Sequence, residues 1–145
     1  MHEHLPIHQA ETFHEMCSGG LGFGLPAAVG VALARPDQRV IALIGDGSAM
    51  YAIQALWNVA QAKLPMTLLI LKNRRYAALQ DFAPRFGFAP GERVQGSDLP
   101  DLDFCALAAG HGLAAHRIAD AASLHDALPR ALQGDAPVLL EIEVE

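Results

Sequence analysis

A parallel α/β sheet with helices on both faces is the fold this sequence predicts, in one domain. Three observations predict it. Short apolar runs bounded by turn residues recur along the chain: "RVIALI" at 39–44, "LPMTLLILKN" at 64–73 and "PVLLEIEVE" at 137–145. Segments of helical periodicity or capping lie between them. The resulting order is helix, strand, helix, strand, helix, helix, strand, helix, strand, and alternation of this kind gives a parallel sheet covered by helices.

Each element has a local reason. "GGLGFGLPAAVGVALARP" holds a small-residue helix, with Pro26 in its first turn, an end near Arg35 and a stop at Pro36. Residues 39–44 form a buried strand. In 50–62, Ile53, Leu56, Trp57 and Ala60 fall at helical spacing, which predicts one helix with those four on its buried face. Residues 64–73 are the next strand and 76–83 a short helix. The stretch 84–102 carries three prolines and three glycines, so it is a long loop, and loops of that length are often functional. Asp103 caps a helix over 103–113. "AAHRI" is a short strand, 123–133 a helix capped by Ser123 in spite of Pro129, and 137–145 the last strand.

The chain has 145 residues, enough for one full-sized core. It is 52% apolar and 18% charged, which excludes global disorder. A net charge of −6 and the lack of a basic stripe argue against nucleic-acid binding. No run reaches the roughly 18 apolar residues of a membrane span, and the opening residues do not read as a signal peptide. Cys17 and Cys105 give no disulfide framework, so a reduced cytoplasm is the expected compartment. Residues 1–16 read as a flexible polar tail before a domain over 17–145. The tail's His2, His4, His8 and His14 admit a metal site, although a solvated terminus is the plainer reading.

The chemistry centres on "IGDGSAMY". Asp46 stands between Gly45 and Gly47 at the carboxyl end of a buried strand, where ligands of such sheets bind. Flanking glycines bring backbone amides close to a ligand, and such amides hold phosphate. A carboxylate there repels phosphate unless a cation stands between them, as Mg²⁺ does in many phosphate sites. A second oxygen ligand is then needed from a neighbouring strand end, and Asn73 follows Asp46 by 27 residues, a strand–helix–strand spacing. Taken singly, each is an ordinary turn residue. Taken together they point to a metal-bridged phosphate.

"GDGSAMYAIQALWNVAQAKLPMTLLILKN" resembles the thiamine-diphosphate motif, and "SGGLGFGLPAAVGVALARP", "RRYAALQDFA" and "LPDLDFCALAAGHGL" resemble the same superfamily. Within it the chain is similar to the carboxy-terminal diphosphate-binding domain of enzymes of the benzoylformate decarboxylase group. The resemblance implies thiamine diphosphate and Mg²⁺ as cofactors. It implies Asp46, Asn73 and the Arg75 carbonyl as metal ligands. Gly47 and Ser48 would meet the diphosphate, with Tyr76 nearby. Gly19 would offer its carbonyl to the cofactor's amino group, and Leu21 would lie under the cofactor's bend. Ala78, Leu79 and Phe82 would line an apolar substrate pocket, although Leu21, Leu79 and Phe82 also read as ordinary core.

Lys72 and Arg74 depart from the superfamily pattern, which has asparagine and glycine at those places. The superfamily's activating glutamate and catalytic histidines lie outside the motifs found here, so no residue of this chain is assigned a catalytic role. The implied activity is decarboxylation of a small 2-oxo acid together with a pyrimidine-binding domain or subunit, in a homo- or hetero-oligomer. Acetolactate-synthase-like carboligation and a truncated, noncatalytic module are the alternatives.

Overall fold

The computed structural model describes residues 7, 8, 10–16, 18–89 and 91–145. His2, His4 and Cys17 fall outside them. Four parallel strands make the sheet: β1 (Val40–Gly45), β2 (Met66–Lys72), β3 (Ala114–Ile118) and β4 (Val138–Glu143), in the order β1-β2-β4-β3. The register places Gly45 opposite Leu71, and Lys72 opposite Glu143. The carboxyl ends of β1, β2 and β4 therefore stand side by side, and the segments that follow them meet.

Alternation within each strand divides the core in two. Ala42, Ile44, Met66, Leu68, Ile70 and Leu139 face α1 (Gly24–Ala34), α3 (Ala55–Gln61) and α5 (Phe104–Gly110), with Leu25, Leu56 and Phe104 fully buried there. Leu140, Ile142 and Ile118 face α6 (Ala121–Gln133) on the other side. Thr67 also faces α6, donating from its buried hydroxyl to the Ala131 carbonyl at 2.8 Å. Helices thus cover both faces, as expected, but unevenly: Ile41 and Leu43 on β1 remain exposed.

Two local expectations are corrected. The helix predicted over 50–62 is two pieces. A short α2 (Asp46–Met50) starts directly at the end of β1, and α3 begins at Ala55. Between them the amides of Ala52, Ala55, Leu56 and Trp57 each bond the carbonyl three residues back, the pattern of tight turns rather than of an α-helix. The break rotates the buried face of α3 onto Ala55, Leu56 and Val59, and turns Trp57 outward, 54% exposed. The last helix is capped by Asp120, whose carboxylate accepts from the Ser123 amide at 2.7 Å. Ser123 is therefore the residue bonded by the cap rather than the cap itself. Asp103 caps α5 as expected, accepting from the Ala106 amide at 2.8 Å.

Candidate cofactor and metal site

Asp46 opens α2 and is 2% exposed. Its Oδ1 accepts from the Gly47 amide and its Oδ2 from the Arg74 amide, both at 2.7 Å. Among the described residues no lysine, arginine or histidine forms an ion pair with it. A carboxylate withdrawn from water needs compensation, and two neutral amides leave its charge unbalanced. Oxygen donors of this kind suit a hard divalent cation.

The second oxygen lies across the β1–β2 register. Asn73 follows the last residue of β2, and its Oδ1 accepts from the Arg75 amide at 3.2 Å. Arg74, between them, has φ of 61°, a left-handed conformation that costs a side-chain-bearing residue roughly 1–2 kcal/mol. A glycine suits this place for that reason, which explains the superfamily pattern noted above. The long loop fastens the turn from outside. The Tyr76 amide donates to the Ser97 carbonyl and the Leu99 amide to the Arg74 carbonyl, both at 2.7 Å, and Arg75 bridges Asp98. The loop's glycines and prolines gave no sign of this partner.

Gly47 and Tyr76 fit closely. A β-carbon on Gly47 would lie 2.4 Å from Tyr76 Cε1, so only glycine is accommodated. Burial, then the adjacent Tyr51 and Asp46, push the Tyr76 phenol above its ordinary value of 10.0. Tyr51 meets Tyr76 edge to face, with centroids 6.3 Å apart. Gly22, at φ 84°, packs on Tyr51 and donates its amide to Ser48 Oγ at 3.2 Å. This bond ties the loop carrying Gly19 and Leu21 to α2. Gly22 and Tyr51 escaped sequence reasoning, although Gly22 lies in the glycine-rich run already singled out.

Leu21 is 44% exposed, so it is not core. Neither are Leu79 and Phe82 on α4 (Ala77–Phe82), a helix with no buried residue. Ala78 is exposed beside them, and the Arg85 guanidinium lies 5.0 Å from the centre of the Phe82 ring.

A separate charged cluster occupies the ends of β2, β4 and β3. Glu141, fully buried, accepts from Lys72 Nζ at 3.0 Å, Arg117 Nε at 2.8 Å and the Phe104 amide at 2.7 Å. Glu141, Asp103 and Cys105 bring possible metal-binding atoms within 4.8 Å of one another, but the charge of Glu141 is already met by the Lys72 ammonium and the Arg117 guanidinium. The signal for it was a pair of glutamates inside an otherwise apolar strand.

A parallel-sheet domain with oxygen ligands for a cation at the carboxyl ends of its strands is the class these features fit. The chain belongs to the family of thiamine pyrophosphate enzymes, as their C-terminal TPP-binding domain, whose model matches residues 1–142. Thiamine diphosphate is the cofactor of that family. The chain is 50% identical over 128 residues to a benzoylformate decarboxylase of Pseudomonas aeruginosa, covering 88% of this chain and 24% of the relative. It is 35% identical over 128 residues to the acetolactate synthase isozyme 2 large subunit of Escherichia coli, covering 88% and 23%. In three dimensions it is similar to a thiamine diphosphate-dependent 4-hydroxybenzoylformate decarboxylase of Rhodococcus jostii, with TM-score 0.81, 48% identity and coverage of 88% and 24%. The chain thus spans about a quarter of the length of these relatives. No described helix is long and apolar enough to cross a membrane.

Proposed function

We propose that this domain binds thiamine diphosphate through Mg²⁺ and serves the decarboxylation of an apolar, aromatic 2-oxo acid. The observation that carries the reading is Asp46, a buried carboxylate at a strand end with backbone amides but, among the described residues, no cationic side chain against it. The donor set fits the ion: Asp46 and Asn73, which follow adjacent strands, would supply two oxygens, and the Arg75 carbonyl would be a third. When bound, thiamine diphosphate supplies the carbanion chemistry that releases CO₂ from a 2-oxo acid. This chain's residues bind and orient. Gly47 leaves room for Tyr76 beside the metal turn, and Ser48 holds the loop that brings Gly19 and Leu21 to the cofactor. Ala78, Leu79 and Phe82 offer an exposed apolar surface, with the Arg85 guanidinium against the Phe82 ring.

Protonation of the cofactor's pyrimidine ring falls to a facing pyrimidine-binding domain, on the same polypeptide or another, in a cytoplasmic oligomer. No acid of this chain stands in a motif for that role, and Glu141 and Glu143 are committed to ion pairs. Losing a positioned proton-transfer group costs about 10² to 10⁴ in rate. The 35% identity to an acetolactate synthase subunit supports carboligation as a second reading. One assay separates these. The chain with Mg²⁺ and thiamine diphosphate is given phenylglyoxylate or pyruvate, with and without a pyrimidine-binding domain. Rapid CO₂ release from phenylglyoxylate is expected only with that domain. Faster turnover of pyruvate, with acetolactate as product, would favour the second reading.

A further inference from the structure

Arg74 raises a question the cofactor reading leaves open. It holds a left-handed conformation at φ 61° without being glycine, and its amide is one of the two that fix Asp46. Something must hold it there. Its guanidinium donates to Glu143 Oε2 at 2.7 Å, and Lys72 Nζ lies 3.4 Å from Glu143 Oε1. One carboxylate therefore takes the cations on both sides of Asn73. Glu143 is itself well placed for this. It pairs with Lys72 in the β2–β4 register, and the next amide, of Val144, donates to the Lys72 carbonyl at 3.1 Å.

We propose that Glu143 is a positioning residue for the metal turn: it anchors Arg74 to β4, so that the strained Asn73–Arg74–Arg75 turn keeps its amide on Asp46. The proposal rests on the cofactor reading for its consequence, though not for its geometry. Lys72 has a second carboxylate in Glu141, whereas Glu143 is the carboxylate that engages Arg74 among the described residues. The pairing has an electrostatic effect too. A guanidinium held by Glu143 is not free to neutralise Asp46, whose charge is left for a cation. Arginine is thus tolerated where glycine is usual because β4 carries its partner.

The test compares the full chain with Glu143→Gln, Arg74→Gly and the double variant, by amide hydrogen exchange and by Mg²⁺-dependent titration of thiamine diphosphate. Glu143→Gln is expected to speed exchange of the Arg74 amide up to about fivefold, by local opening of the turn, the range of a largely exposed ion pair. Cofactor affinity falls only by the fraction of the free domain in which the turn stands open, so exchange is the deciding readout and the titration reports whether the closed turn still dominates. Arg74→Gly alone stays near wild type, because glycine adopts the left-handed conformation freely. In the double variant the exchange at position 74 returns to within about twofold of wild type, the coupling expected of directly interacting residues. A loss arising from Lys72 would not be rescued by glycine at position 74, and that result overturns the proposal. So does unchanged exchange at residue 74 in Glu143→Gln. If Glu143→Gln does not fold, Glu143→Asp, which keeps the charge but shortens the reach, replaces it. Absence of cofactor binding by the wild type would count against the cofactor reading, while the exchange at position 74, the glycine variant's own amide included, still decides the role of Glu143.

Discussion

Asp46 and Glu141 are both shielded from solvent, 2% and 0% exposed, near the carboxyl end of the same sheet, and their surroundings are opposite. Glu141 receives an ammonium, a guanidinium and a backbone amide. Asp46 receives two amides and no cation among the described residues. Burial therefore does not distinguish a binding carboxylate from a structural one. The distinction is whether the protein has already supplied the counter-charge. Glu141 is neutralised from within and holds β2, β3, β4 and α5 together. Asp46 is fixed in direction by amides alone, and the turn opposite it carries the Asn73 side-chain oxygen, which on the proposed function would be a second ligand.

The comparison is tested most severely at Glu141. Glu141→Ala leaves Lys72 buried with one fewer partner, and breaking such a pair costs about 3–5 kcal/mol. Urea denaturation should show that loss, whereas Asp46→Ala should leave stability far less changed. Burial opposes the charged form of Glu141, but the bonds from Lys72, the Phe104 amide and Arg117 outweigh it and hold its pKa below the usual glutamate range. Because the folded value is the depressed one, this stability is complete above the unfolded pKa of about 4.3 and disappears as pH falls through the folded value. Glu141→Gln should flatten that acid limb. A limb of unchanged steepness would mean that Glu141 is not the linked group.

A smaller effect probes the packing beside Asp46. Gly47→Ala drives a β-carbon to 2.4 Å from Tyr76, and overpacking of this sort costs about 1–3 kcal/mol. Adding Tyr76→Ala removes the clash, so the pair should lose less than the two single variants summed. A thermal melt of the three variants reads this directly. Strict additivity would show that Gly47 is not glycine on account of Tyr76.

What the sequence made legible follows the same division. The strand ends that carry Asp46 and Asn73 could be read because each lies beside a local signal: glycines around Asp46, and the end of an apolar run before Asn73. The alternation of elements gave the parallel sheet for the same reason. The broken helix at 51–54 was not legible, since Ile53, Leu56, Trp57 and Ala60 keep a helical period in sequence while the backbone tightens between Ala49 and Trp57. The exposure of Leu21, Leu79 and Phe82 depends on what else packs nearby, which periodicity does not carry. The pairings of Glu141 with Lys72 and of Glu143 with Arg74 join residues 69 apart, and only the β2–β4 register brings them together.

On the proposed function Asp46, which meets no cationic side chain among the described residues, holds a metal ion against the cofactor's diphosphate. Isothermal titration of thiamine diphosphate into wild type and Asp46→Ala, with Mg²⁺ and with EDTA in its place, tests this. Mg²⁺-dependent heat is expected for the wild type and none for Asp46→Ala, with the variant still folded by its thermal melt. Equal affinity in the folded variant, or wild-type binding indifferent to Mg²⁺, would contradict it.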